Sequence, residues 1–167
     1  RIEVNTPTTA FFSDGREHAT VVAVEGQRLM LLEGPRRLVG PGEAVNVVDP
    51  SLRIFGTLTE TDVAYLAAMR ACGLSRVMLS FVEEQRDVDE VREHLPGAEI
   101  VCKIESKRGL EWAKEAFGGR TRTTERLMAA RGDLFVEVYY PHAIVGATRQ
   151  IIAADPTAIA ASRIFPS

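Results

Sequence analysis

A chain of 167 residues, 46% hydrophobic and 26% charged, has the make-up of a globular protein able to bury one sizeable core. A formal net charge of −3, with the basic residues scattered, excludes the basic stripe of a nucleic-acid or anionic-membrane surface. No run approaches the ~20 apolar residues of a membrane-spanning helix, and the opening RIEVNTPTTAFF lacks the charged start and apolar core of a signal peptide, so a cytoplasmic protein is expected.

Residues 1–50 read as a small all-β module. Short apolar runs in AFFSDG, HATVVAVEGQ, RLMLLEG and AVNVVD are separated by Asp14-Gly15, Glu25-Gly26, Gly34-Pro35 and Gly40-Pro41-Gly42, all turn signals. In residues 51–167 helices alternate with strands. Thr59, with Asp62 three residues on, opens a predicted helix whose Val63, Leu66, Ala67 and Met69 recur at helical spacing before Gly73. RVMLSFV (76–82) is a continuous apolar run of strand length. DVDEVREHL (87–95) returns to a helical period, with Val88, Val91 and Leu95 on one face. EIVCKIE (99–105) reads as a strand, GLEWAKEAFGG (109–119) as a helix and RLMAARGD (126–133) as a strand. AIVGATRQIIAADP (143–156) is a further helix and AIAASRIF (158–165) a last strand.

Strands apolar on both faces and separated by helices indicate an α/β protein of parallel βα units. Four such units make an open sheet or half of a closed eight-stranded barrel, and both place function at the carboxyl ends of the strands. Cys72 and Cys102 lack metal-ligand spacing and are expected to be small buried hydrophobes. His18, His94 and His142 show no partner pattern and are expected at the surface, and Trp112 and Phe117 are expected to pack.

Two constellations carry chemistry. Side chains alternate along EIVCKIE, so Lys103 and Glu105 share one face at the end of the strand. Burying that pair is expensive without partners or a ligand; an internal ion pair, or a strand end in water, would also account for it. In RLMAARGDLFVEV, Gly132 permits a tight turn or close backbone approach to a ligand, and Asp133 supplies a hard oxygen ligand or, alternatively, a helix cap. Adjacent parallel strands would bring Glu105 and Asp133 to one rim, a plausible Mg²⁺ or Mn²⁺ site with positions open to substrate and water.

These motifs, in their order, resemble the pyruvate kinase family. DVAYLAAMRACGLSRVMLSFVEEQRDVDEVREHL is similar to the family's helix, its strand ending Ser-Phe-Val and the helix after it. VCKIESKRGL is similar to its Lys-Ile-Glu strand and Glu-Gly-Val-like turn, and LMAARGDLFVEV to its Ala-Arg-Gly-Asp-Leu-Gly-Val-Glu motif. FFSDG, AVNVVDP and LTETD resemble the lid domain and its return to the barrel, and AASRIFPS resembles the Ala-Thr-Gln-Met-Leu-Glu-Ser strand. The resemblance implies a (β/α)8 barrel, incomplete in this chain, with residues 1–50 as a shortened lid and 51–167 as the barrel part.

It also implies transfer of the phosphoryl group of phosphoenolpyruvate to ADP, giving pyruvate and ATP through a metal-stabilised enolate. Lys103 would stabilise the transferring group, Glu105 and Asp133 would ligate Mg²⁺ or Mn²⁺, and the turn at Gly132 and Asp133 would hold the substrate carboxylate. Ser162 stands where the family has a threonine that contacts substrate. Phe135 replaces the glycine after Ala-Arg-Gly-Asp-Leu, Glu83 stands where arginine or lysine is usual, and Tyr139-Tyr140-Pro141 replaces Ile-Pro. Glu43 lies where the lid presents a nucleotide-binding lysine, so no nucleotide-binding residue is assigned. The family's K⁺ ligands have no counterpart here. The expected partners are small-molecule substrates, with no nucleic acid or membrane, and an oligomer or another chain segment that completes the barrel. The alternatives are a metal-dependent lyase or aldolase acting on pyruvate enolates, and a shortened, non-catalytic or assembly subunit.

Overall fold

The computed structural model describes residues 2–12, 15–40, 42–117, 124–138, 140 and 142–161. Asp14, Pro41, Gly118, Gly119, Tyr139, Pro141 and the whole segment from Ser162 onward lie outside the described residues. The chain divides into two compact units, Arg1–Gly56 and Thr57–Ser167.

The first unit is all β. Strands β1 (Ile2–Glu3) and β6 (Arg53–Ile54) pair with each other, and β2 (Thr8–Phe12), β3 (Glu17–Glu25), β4 (Arg28–Leu31) and β5 (Val45–Val47) form an antiparallel sheet in the order β4-β3-β2-β5. Gly26, at φ +62°, opens the two-residue turn that joins β3 to β4, a backbone that favours glycine. Period-2 alternation puts Ala10, Phe12, Ala19 and Val21 on one face, where they make a small core.

The second unit is α/β, as the alternation of strands and helices predicts. Its strands β7 (Arg76–Leu79), β8 (Glu99–Ile104), β9 (Glu125–Ala130) and β10 (Ile159–Ala161) lie parallel in the order β10-β9-β8-β7. The helices are α1 (Glu60–Ala71), α2 (Gln85–His94), α3 (Lys107–Phe117), α4 (Arg131–Glu137) and α5 (Ala143–Ala154). The Thr59–Asp62 capping box forms in full, since Thr59 Oγ1 accepts from the Asp62 amide and Asp62 Oδ2 from the Thr59 amide. Leu79, Ile100, Cys102, Ile104, Leu127 and Ala129, alternate residues of three strands, join Leu66, Val88, Val91, Leu95 and Ile151 of the helical layer in one core. On the opposite face of β7 Met78 is 64% exposed. Trp112 and Phe117 pack edge to face inside, their centroids 5.6 Å apart.

Four expectations are corrected. The strand at residue 76 stops at Leu79, because Phe81 turns into the left-handed region (φ +51°) and carries the chain out of the sheet. The strand before Asp133 stops at Ala130, because the backbone becomes helical at once at Arg131. Gly132 needs no special turn, since it sits inside that helix without a positive φ. Cys72 is exposed while Cys102 is buried: six residues on from the buried Leu66, at the C-cap of α1, Cys72 lies on the far side of the helix. Among the described residues no helix is long and apolar enough to cross a membrane.

Candidate functional site

The charged side chains gather at the carboxyl ends of β7 and β8 and beyond β9. Leu79 pairs in register with Cys102, which sets the next residue, Ser80, level with Lys103, while on the other side Lys103 pairs with Met128. Lys103 Nζ donates to Ser80 Oγ at 2.9 Å and to Glu105 Oε1 at 2.8 Å. The shared strand face expected for Lys103 and Glu105 is therefore realised as an ion pair. Glu105, one residue past β8, is 1% exposed, and its other oxygen, Oε2, accepts the Phe81 amide at 2.8 Å. The same turn is tied a second time, since the Val82 amide donates to the Lys103 carbonyl at 3.2 Å. Phe81 thus holds a backbone that costs a non-glycine residue roughly 1–3 kcal/mol, and it does so where its amide meets a buried carboxylate.

Burial pushes the Glu105 carboxyl above its ordinary range. The hydrogen bond and charge of Lys103 and the Phe81 amide oppose that rise, and the Asp133 charge adds to it. Asp133 therefore lies within electrostatic reach of Glu105. Asp133 lies in the first turn of α4, partly buried, and not on a strand. Gly132, beside it, is exposed, and a Cβ there would meet nothing within 4 Å, so the backbone is left bare on that side.

Sequence reasoning missed the groups that hold this turn. Glu83 Oε1 accepts from Ser106 Oγ at 2.6 Å, and its Oε2 pairs with Arg108 at 3.0 Å. An acidic residue where the family usually has a basic one therefore has its counterion in place, and Arg108 itself stands where the Glu-Gly-Val-like turn has glutamate. Gly109 packs so closely that an added Cβ would lie 2.6 Å from the Val82 carbonyl oxygen. Glu137 is nearby: burial raises its carboxyl, the amide and charge of Lys107 lower it, and the Glu83 charge raises it again. The one signal that could have found Ser80 is register, because a serine directly after an apolar strand lies level with Lys103 only once β7 and β8 are paired.

Glu105 and Asp133 suit a hard divalent cation. Among the described residues each Glu105 oxygen has one hydrogen-bond partner and so retains a lone pair, and a bound cation would offset the burial that disfavours its charge. Among the described residues no cluster of three or more His, Cys, Asp or Glu forms. Ser162, expected to add a hydroxyl, lies outside the described residues.

A family model described as pyruvate kinase, barrel domain, matches residues 2–162. Similar relatives are the pyruvate kinases of Thermoplasma acidophilum, 36% identical over 87 residues (50% of this chain, 15% of that protein), and of Methanocaldococcus jannaschii, 34% over 101 residues (58% and 22%). The pyruvate kinase of Clostridium acetobutylicum is 28% identical over 141 residues, 81% of this chain and 29% of that protein. The chain spans less than a third of the length of these curated relatives. With a barrel-domain match over nearly its whole length, and parallel βα units that end in the Lys-Ile-Glu and Ala-Arg-Gly-Asp motifs, the chain belongs to the pyruvate kinase family.

Proposed function

We propose that this chain carries the metal and enolate half of a phosphotransferase site that moves the phosphoryl group between phosphoenolpyruvate and ADP. The observation that carries the proposal is the Lys103–Glu105 ion pair at the carboxyl end of β8, with the Asp133 charge acting on the same buried carboxylate. In the reaction the bond between phosphorus and the enol oxygen breaks, a terminal oxygen of ADP takes the phosphoryl group, and the enolate carbon then takes a proton. A divalent cation, when bound, supplies Lewis acidity for the charge on the transferring group and the enolate oxygen. Lys103 adds a fixed positive charge where negative charge develops, and Ser80 and Glu105 hold its ammonium so that little reorganisation is needed. Glu105 and Asp133 are the metal ligands in this reading. The amides at Gly132 and Asp133 hold the substrate carboxylate, and Ser162 contacts substrate. Residues 1–50 are a shortened counterpart of the family's lid domain in this reading, and residues 51–167 are the barrel part.

One observation favours a second reading. Glu43, where the family's lid presents a lysine, is acidic and paired with Arg37, which suits a pyruvate-enolate lyase or aldolase that needs no nucleotide. A coupled assay for pyruvate with phosphoenolpyruvate, ADP and Mg²⁺ separates the two. The phosphotransferase reading expects turnover, with Lys103→Ala lowering kcat about 10²–10³-fold and KM far less. Absence of pyruvate formation by the folded wild-type chain would sink it.

A further inference from the structure

We propose that Glu83 is a positioning residue: through Ser106 and Arg108 it locks the Ser80–Glu83 turn whose groups seat Lys103 and Glu105. The proposal deepens the metal-site reading above and, for its consequence on cation affinity, rests on it. The turn crosses from β7 to α2 and meets the exit of β8 at six points. Ser80 Oγ accepts from Lys103, the Phe81 amide donates to Glu105 Oε2, and the Val82 amide donates to the Lys103 carbonyl. Glu83 then accepts from Ser106 Oγ at 2.6 Å and pairs with Arg108 at 3.0 Å, while Gly109 packs against the Val82 carbonyl.

The energetics of these contacts are unequal. Arg108 is 57% exposed, so its pairing alone contributes at most about 1 kcal/mol. The Ser106 hydroxyl is buried, and a short hydrogen bond to a carboxylate is roughly twice as strong as a neutral one. Ser106 also accepts from the Gly109 amide at 3.1 Å, so one hydroxyl ties the N-terminal turn of α3 to Glu83. On the other side, Asp87 Oδ2 accepts the Glu83 amide at 2.8 Å and the Glu84 amide at 3.0 Å, which fixes the backbone of Glu83 to α2. Glu83 is therefore anchored through its backbone to one βα unit and through its side chain to the next. The strained Phe81 conformation between these anchors survives only while they hold, and its amide is the group that fixes Glu105. Partners that orient a ligand without touching the metal typically change affinity about 10–100-fold when removed.

The test uses the whole chain, with Mn²⁺ as the probe in calorimetric titration and amide hydrogen exchange at Phe81 and Val82 in the metal-free protein. Glu83→Ala is expected to weaken Mn²⁺ binding about tenfold and to speed Phe81 exchange, Glu83→Gln to do so less because it keeps an acceptor for Ser106. The exchanged pair Glu83→Arg with Arg108→Glu is expected to recover part of both losses that Glu83→Arg alone suffers. Asp155→Asn, which removes a carboxylate bonded to β9 and Thr157, controls for general loss of stability and should leave Mn²⁺ affinity unchanged. Unchanged Phe81 exchange in Glu83→Ala overturns the positioning role whatever the metal does. A wild-type chain that takes up no Mn²⁺ sinks the metal-site reading instead, and the exchange measurements then decide the role of Glu83 by themselves.

Discussion

Glu105 is a carboxylate taken almost wholly out of water, and its charge is tolerable because Lys103 and the Phe81 amide each meet one of its oxygens. Lys103→Ala should therefore lower stability as well as turnover, toward the low end of the about 3–5 kcal/mol that follows loss of one partner of a buried pair, since Lys103 keeps some contact with water. Asp155 shows the opposite balance. Burial pushes its carboxyl up, but the Leu127 amide, the Thr157 hydroxyl and the Thr157 amide outweigh it and hold the group below its ordinary 3.8. A carboxylate with a lowered folded pKa stabilises above its unfolded value, and that contribution is lost as pH falls through the folded one. Asp155→Asn should cost about 1–3 kcal/mol at pH 7, with the deficit shrinking below pH ~3.8, as measured by denaturant melts across pH. The Lys103 and Glu105 pair was visible in the sequence because period-2 alternation is local. Ser80, Glu83 and Arg108 were not, because their contacts span 23 to 25 positions and depend on the register between two strands.

The turn leaving β7 and the start of α3 are built against each other. Within a helix a glycine ordinarily costs about 1 kcal/mol relative to alanine, so on propensity alone Gly109→Ala would stabilise α3. Its Cβ, however, would lie 2.6 Å from the Val82 carbonyl oxygen, a backbone atom that cannot rotate away. Overpacking typically costs 1–3 kcal/mol, so the clash wins, and Gly109→Ala should lower stability by about 1–2 kcal/mol and loosen the Phe81 amide, read by thermal melts and hydrogen exchange. The type and order of the elements were readable from the apolar runs and their periods. Their ends were less so: the Ser80–Val82 stretch is as apolar and strand-like as what precedes it, and only tertiary bonding to β8 turns it outward. The start of the helix at Arg131, two residues before the Asp133 cap that the sequence offered as an alternative, was not legible because strand and helix meet with no turn residue between them.

Over the whole molecule, the parallel sheet carries its helical core on one face, while the face bearing Lys103 also carries the exposed Met78. In the closed barrel for which the matched domain is described, the second face of such a sheet is the interior. Lys103, Glu105 and Asp133 are proposed to form a site for a divalent cation and an enolate-like anion. The most direct measurement of that claim is the melting temperature of the chain with Mn²⁺ and oxalate, an enolate mimic, beside Glu105→Gln and Asp133→Asn. Binding at about 100 times the dissociation constant stabilises a protein by ~2.7 kcal/mol, so wild type should melt several degrees higher with both ligands and each variant should lose most of that rise. A wild-type melting temperature unmoved by saturating Mn²⁺ and oxalate, or a rise that both variants keep in full, would contradict it.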